Sequence, residues 1–571
     1  MSKYDDAPEV NEEVMDGLNA PDKLSEVEGF KTESKGLRGD LAEQMENRMT
    51  GNVTEYGKQM IKFHGSYIQD DRDRRQEREE KKLEWSYSFM IRLRIPGGDV
   101  TAKQWLALQE SCDTRASGVV KITTRQTVQF HGVVKARMKP TMQDFEEMGL
   151  DAIAACGDVN RNVITGSNPQ YEAYHAEVHE FAAKISAHLL PKTGAFKEVW
   201  LDGEKLKEGE DAEPDPLYQD RYLPRKFKVA ITTPPHNDVD VYVHDIGLIA
   251  VGEGDTLHGF NASIGGGLGT THGNAKTYPR RGDVIGFIPK DKVLDFCWQV
   301  AAVNRDYGNR EERHQAKLKY TIDRLGLDFV KGELENRLGF KIDPVRDVQA
   351  FTHRGDPFGW VEDHKGQWYY TAFVESGRVI DEDGYNIKSA MKEIAEADIS
   401  ALRFTANQNV MFTYVEEANK AKLEEILAKH GITIDAMNAT RREAMACVAL
   451  PTCPLALAEG QRYLPEFVGK VEALQEKHGI LDKAITTRIT GCPNGCGRSY
   501  AAEIGLVGKN PGKYVLRLGG DYEGERLNSV YLEEADETEI LETLDKLLGE
   551  YANDGQEGES FGDYSQRVLF G

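Results

Sequence analysis

The sequence predicts an α+β protein built from two related halves arranged about a pseudo-twofold axis. Three observations carry that prediction. At 571 residues the chain is too long for one ordinary core, so two to four structural units are expected. A strand–glycine–helix–strand order occurs twice. Each occurrence then runs on into a stretch of α/β character.

In the first occurrence, Phe89–Ile95 reads as a strand and stops at Pro96-Gly97-Gly98. A helical stretch, Ala102–Glu110, leads to the strand-like run Val119–Phe130. In the second, Trp368–Val374 ends at Gly377, and a helix-like stretch, Ile387–Ile394, leads to the run Leu402–Phe412. Superposing the two later runs pairs Lys121 with Arg403 and matches threonine, glutamine, valine and phenylalanine in register, the mark of a duplication. Apolar strands such as Val229–Thr232 and helices such as Lys292–Val303 follow the first copy. The helix Leu464–Lys477, the strand Ile485–Ile489 and the helix Glu537–Tyr551 follow the second. The expected segments are therefore a polar N-terminal arm (1–82), a first repeat (83–150), an α/β stretch (151–345), a second repeat (346–430) and a final α/β stretch (431–571). The charged run Gln69–Lys82 reads as a solvated helix face, and the first ~30 residues are expected to be loose.

Composition bounds the function. The chain is 40% hydrophobic and 29% charged, an ordinary soluble mixture. No segment reaches the ~20 apolar residues of a membrane span. Met1-Ser2-Lys3-Tyr4-Asp5-Asp6 offers no apolar signal core, so a cytoplasmic protein is expected. Lysine plus arginine (71) against aspartate plus glutamate (95) leaves −24, which argues against nucleic acid and anionic membrane as partners. It leaves room for a local basic cluster that takes a small anion. Gly265-Gly266-Gly267 lacks the spacing of a dinucleotide fingerprint, and there is no Walker A sequence, so no nucleotide site of the chain's own is predicted.

The seven cysteines divide unevenly. Cys112, Cys156 and Cys297 are scattered and read as buried small hydrophobes. The other four form Cys447-x₅-Cys453, a gap, then Cys492-x₃-Cys496. The wide first pair suits zinc knuckles poorly, while four soft thiolates suit an iron–sulfur cluster. Pro454 and Pro493 follow cysteines and hold the chain extended, and Gly491, Gly495 and Gly497 let the backbone fold closely round a bulky group.

Cys447–Cys453 and Thr490-Gly491-Cys492-Pro493-Asn494-Gly495-Cys496-Gly497-Arg498 resemble the signature of the siroheme sulfite and nitrite reductases. The resemblance extends over most of the chain. It takes in Lys62-Phe63-His64-Gly65, Asp70-Asp71-Arg72-Asp73, Thr124-Arg125-Gln126-Thr127, Asn160-Arg161-Asn162, Tyr222–Lys228 and Gly265-Gly266-Gly267. It implies ferredoxin-like halves and two α/β modules, with the cofactors at their interface. It implies that Cys447, Cys453, Cys492 and Cys496 hold a [4Fe–4S] cluster, and that Cys496 also ligates the siroheme iron. A shared thiolate would couple the two groups electronically.

The basic candidates are Arg92, Lys121, Arg125, Arg161, Arg225, Lys226, Lys228, Lys317, Lys319 and Arg498. By the resemblance, Arg92, Arg161, Lys226 and Lys228 bind the substrate anion and supply protons. Lys121, Arg125 and Lys317 lie near the siroheme carboxylates, and Asn494 lines the cofactor edge. Lys121 departs from the family pattern, where arginine is frequent, and lacks the bidentate fork. The implied reaction is the six-electron reduction of sulfite to sulfide, with lysines of lowered pKa as acids. Electrons would come from a separate NADPH-dependent flavoprotein subunit or a ferredoxin. A siroheme nitrite reductase, a noncatalytic iron–sulfur electron carrier and a zinc-stabilised structural protein are the competing readings.

Overall fold

The computed structural model describes residues 10–571, apart from 16, 35, 193–199, 202–203, 206–213, 383 and 434–436. The Met1–Asp6 start lies outside the described residues.

Both repeats form five-stranded sheets. The first runs in the order Ser66–Asp70, Tyr87–Arg92, Val128–Val133, Val120–Ile122, Arg378–Val379. The second runs Gly359–Glu362, Trp368–Ala372, Val410–Val415, Ala401–Phe404, Asp99–Val100. The orders correspond strand for strand, and each sheet borrows its last strand from the other repeat. Arg378 pairs with Lys121 and Val379 with Val120, while Arg403 pairs with Asp99 and Leu402 with Val100. This reciprocal loan is the predicted pseudo-twofold relation. The helices Ala102–Arg115 and Ile387–Glu396 pack together, and one apolar core containing Trp105, Phe130, Phe404 and Phe412 spans both repeats. Neither sheet can therefore be lifted away without opening the other's core.

Two details of the repeats differ from the prediction. Val119–Phe130 and Leu402–Phe412 are each two strands of a hairpin rather than one strand. Polar residues break each run: Thr123 N donates to Thr127 O at 2.9 Å, and Thr405 N to Asn409 O at 3.0 Å. Gln126 and Gln408 turn the corner at φ +50° and +72°, a conformation that side chains with a Cβ seldom adopt. Gly98 and Gly377 make room for these tips. A Cβ on Gly98 would meet Phe404 O at 2.4 Å and Gln126 Cβ at 3.2 Å, and one on Gly377 would meet Ile122 O at 2.3 Å and Gln408 Cβ at 3.0 Å. The glycine of the repeat thus marks the close crossing of the two halves. Second, Ser66–Asp70, assigned from sequence to the arm, is the edge strand of the first sheet.

The α/β modules repeat too. In one, Ile164–Thr165, Val229–Thr232 and Ile246–Glu253 run parallel, then Thr256–Ile264 and Asp283–Pro289 add antiparallel. In the other, Met445–Ala446, Thr487–Thr490 and Ile504–Asn510 run parallel, then Lys513–Leu518 and Ser529–Ala535 add antiparallel. Asp240 of the first module joins them. Its buried carboxylate takes Arg488 Nη1 at 2.7 Å and Arg498 Nη1 at 2.6 Å from the second module, and Arg354 Nε at 2.7 Å from the connecting segment. Burial opposes its ionisation, but the three guanidinium groups win and hold its carboxyl well below the usual carboxylate range.

The N-terminal segment was expected to be loose, but its described part is docked. Asn11 N donates to Tyr307 Oη at 3.2 Å, Asn19 Nδ2 to Gly308 O at 2.9 Å and Ser25 N to Arg310 O at 3.0 Å. Its polar composition conceals side chains, Glu28 and Lys31, that are buried as an ion pair. Among the described residues no helix is long and apolar enough to cross a membrane.

Candidate functional site

A deep cleft lies where the two repeats and the two modules meet. Its cavity volume is about 290 Å³, at the lower end of ordinary ligand pockets. The hairpin tip after Val120–Ile122 projects Arg125 into it, and the ends of the parallel strands deliver the cysteine loops. Nine lysines and arginines line the cleft against one carboxylate, Asp158.

The four cysteines share one wall. Cys447 follows the strand Met445–Ala446, and Cys492 and Cys496 follow Thr487–Thr490, its parallel neighbour. Gly491 N donates to Cys447 Sγ at 3.3 Å, and Asn494 Nδ2 to Cys492 Sγ at 3.5 Å. A Cβ on Gly491 would lie 2.4 Å from Ala449 Cβ, so the two loops can only meet around a glycine. Burial, reinforced by Cys496 and Cys492, pushes the Cys447 thiol up to about 12, and burial with Cys492 does the same to Cys453. Yet no three His, Cys, Asp or Glu side chains among the described residues converge closely enough for a single metal ion. Four cysteine sulfurs brought to one cleft by neighbouring loops are soft ligands of the kind that suits a multi-iron cluster.

Neighbouring segments brace these loops. Arg72 Nη1 donates to Ala456 O at 2.8 Å and Nη2 donates to Cys453 O, so this member of the charged run is no solvated face. Thr124 Oγ1 donates to Cys496 O at 3.0 Å, and Thr270 N to Pro493 O at 2.8 Å.

Of the predicted site residues, Arg92, Lys121, Arg125, Arg161, Lys226, Lys228 and Asn494 line the cleft with the cysteines. Lys317 stands just behind the lining beside Gly267 and Gly269. The ammonium groups of Lys226, Lys228 and Lys317 make no hydrogen bond or ion pair with the described residues. Burial, then the charges of Arg125 and Lys317, pushes Lys228 down to about 7. Burial, with Lys317 and Lys228, lowers Lys226 well below its ordinary value. Burial also lowers Lys317, takes Lys121 to about 7 and, with Arg161, takes Arg125 to about 9. Lys121 donates to Ser376 O, but desolvated ammonium groups without partners, as at Lys226, Lys228 and Lys317, are what an anionic cofactor and an anionic substrate would neutralise.

The arginines are differently placed. Arg161 Nε and Nη2 donate to Gly157 O at 3.0 and 2.8 Å. Arg92 Nη1 donates to Cys156 Sγ at 3.2 Å, so this buried cysteine supports the site. Arg125 Nη2 donates to Val229 O at 3.0 Å, while its buried Nε has no partner and remains available.

Two basic candidates fall outside the site. Arg498 is buried against Asp240 and Asn407, and Lys319 donates to Gly267 O at 3.1 Å and Gly269 O at 3.0 Å. Conversely, the structure adds Tyr67, Gln129 and His131 to the lining. With its amide turned to suit its neighbours, Gln129 accepts from Arg92 Nε at 2.9 Å and donates to His131 Nε2 at 3.2 Å. His131 Nδ1 meets Gln69 Oε1 at 3.0 Å, and burial with the charges of Lys121 and Arg92 keeps the ring neutral, its pKa pushed down to about 3. The clue in the sequence was slight: Gln129 lies opposite Lys121 in the strand pair.

Comparison with known proteins decides the family. A model described as the nitrite/sulfite reductase ferredoxin-like half domain matches residues 86–148 and 361–430, the two repeats. A nitrite and sulphite reductase 4Fe-4S domain model matches residues 180–342. The chain is 50% identical over 553 residues to the sulfite reductase [NADPH] hemoprotein beta-component of Staphylococcus saprophyticus, covering 96% of this chain and 97% of that one. The chain belongs to the nitrite and sulphite reductase family. A relative of the same name from Leptospira biflexa is 52% identical over 95% of this chain and 98% of its own. Among solved structures, Mycobacterium tuberculosis NirA protein matches with a TM-score of 0.78 at 24% identity, covering 97% of this chain and 98% of that one, a likeness of fold. The region matched by the 4Fe-4S domain model is the module without the cysteine quartet. The shared strand order of the two nitrite and sulphite reductase modules explains this: both are copies of one domain, and the cysteines lie in the second.

Proposed function

We propose that this chain is the haem-bearing subunit of an assimilatory sulfite reductase, reducing sulfite to sulfide. One observation carries the reading: a single cleft is lined by four cysteines and by nine lysines and arginines, of which Lys226 and Lys228 are desolvated and without a partner among the described residues. The cofactors are a siroheme and a [4Fe–4S] cluster. Cys447, Cys453, Cys492 and Cys496 are the cluster ligands in this reading, with Cys496 shared with the siroheme. Asn494 borders both groups, and Lys121, Arg125 and Lys317 face the siroheme carboxylates. Bound there, siroheme and cluster supply a coordination site for sulfur and deliver electrons to it singly.

The protein's own residues do the rest. Arg92 and Arg161 offer guanidinium N–H groups to the sulfite oxygens while remaining charged throughout. Sulfite takes up six electrons and eight protons on its way to hydrogen sulfide and three waters, so the cleft must supply protons as well as bind charge. Lys228, taken to about 7 by burial and crowding, can give up a proton near neutral pH and regain it from solvent, and burial and crowding push Lys226 in the same direction. Their positive charge also stabilises oxygen as negative charge builds on it.

NADPH, named in the relatives' descriptions, has no binding motif here, so a separate NADPH-dependent flavoprotein is the expected electron donor. The cytoplasm, where thiols stay reduced, suits the free cysteines. Steady-state reduction of sulfite and of nitrite by the purified holoenzyme, with an artificial reductant and then with NADPH plus the flavoprotein, tests the reading. It requires a higher kcat/KM for sulfite than for nitrite, and the reverse preference makes the chain a nitrite reductase.

A further inference from the structure

Asp158, the lone carboxylate of the cleft lining, is buried and shared among three cations. Arg313 grips it with both terminal nitrogens, Nη1 at 2.8 Å and Nη2 at 3.1 Å. Arg225 lies loosely at 3.9 Å, beyond hydrogen-bond distance, and forms no hydrogen bond with any described residue. From behind, Lys31 Nζ approaches to 3.6 Å.

Lys31 belongs to the N-terminal helix Glu26–Glu33, distant in sequence from every cleft residue, and its side chain is 0% exposed. Its ammonium donates to Glu28 Oε1 at 2.5 Å and to Leu223 O at 2.9 Å. Leu223 N in turn donates to Asp158 O at 3.0 Å, and Arg161 N to Phe227 O at 2.9 Å. The segment 222–228 carries Arg225, Lys226 and Lys228, so a single ammonium ties the N-terminal helix to Asp158 and to the backbone of this basic loop.

We infer that Lys31 is a positioning residue for the substrate cleft: it occupies Asp158 from behind, so that Asp158 does not capture Arg225 and draw the basic loop out of place. A buried carboxylate seeks full compensation. Arg313 already spends both its terminal nitrogens on Asp158. Arg225 is the one cation within 4 Å of Asp158 that has no other partner. Without the Lys31 charge it would close from 3.9 Å to hydrogen-bond distance, taking Lys226 with it. The inference rests on the sulfite reductase reading and adds a residue outside the cleft to it.

The test uses holoenzyme and an artificial reductant, so that donor docking plays no part. Lys31→Met is expected to lower kcat/KM for sulfite roughly 10- to 100-fold, the scale set by a displacement of about 1 Å in a substrate-holding group. The loss should appear in KM, while siroheme absorption and iron content stay at wild-type levels. Lys31→Arg, which keeps the charge, should restore KM. Should Lys31→Met fail to accumulate, Lys31→Gln keeps a donor for Leu223 and is read in the same way. Wild-type KM in the neutral variants, a loss that tracks missing siroheme, or no rescue by arginine overturns the inference. Absent sulfite turnover by the unaltered enzyme would overturn the functional reading with it.

Discussion

Lys228→Met should make the cofactor-free protein more stable while crippling it toward sulfite. The ammonium makes no bond that the substitution would break, and methionine fills a similar volume. Burial and neighbouring cations take Lys228 from 10.5 to about 7, which at 1.36 kcal/mol per pH unit bounds the penalty at about 4–5 kcal/mol. Water entry and side-chain relaxation reduce that figure, and a gain of about 1–3 kcal/mol is expected. The sign follows from proton binding: the unfolded chain holds the lysine proton more tightly, so folding opposes protonation. The advantage of methionine is therefore full below about pH 7, shrinks as pH rises, and vanishes near 10.5. Urea unfolding of siroheme-free protein at pH 6 and pH 9 reads it directly. In holoenzyme the same change should remove a charge-assisted hydrogen bond to sulfite, roughly 1.5–3 kcal/mol, or about 10- to 150-fold in kcat/KM. A variant less stable than its parent at pH 6 would refute the reasoning, because Lys228 would then have had a partner to lose.

Cys447→Ser should lose cluster iron and weaken siroheme retention; full iron and activity in the purified variant would remove Cys447 from the site. Asp240→Asn leaves Arg354, Arg488 and Arg498 without their shared anion, and should cost about 3–5 kcal/mol in urea unfolding. Because the Asp240 carboxyl is held low, the parent's advantage should persist above pH 4 and disappear only as pH falls further. Arg72→Ala removes the bonds to the Ala456 and Cys453 carbonyls, and should hasten bleaching of the cluster band in air without changing KM for sulfite.

Much of the architecture was legible because a duplication writes its pattern twice. Lys121 and Arg403 occupy matching strands, and the helices near Ala102, Ile387, Leu464 and Glu537 begin where periodicity placed them. The hairpin tips at Gln126 and Gln408 were not legible, since glutamine is an unusual residue at positive φ and only the crossing glycines make room for it. The cysteine quartet was legible because its spacing and residue types are rare together. The basic residues were harder, since a lysine on a strand looks the same whether it faces a cleft or a carbonyl. Lys228, just before the strand Val229–Thr232, opens on the cleft, whereas Lys319, in the helix Leu318–Leu325, is tied to the Gly267 and Gly269 carbonyls. The N-terminal helix was misread for a related reason: composition registers Glu28 and Lys31 as polar, whereas burial depends on the partner each finds.

Optical absorption and iron analysis of the purified holoenzyme, followed by sulfite turnover in the same cuvette, test the central claim most directly. The account predicts siroheme bands, iron for one cluster and one siroheme per chain, and bleaching of reductant that depends on added sulfite and yields sulfide. Protein that carries zinc, or a cluster without siroheme bands, and that leaves sulfite untouched would contradict it.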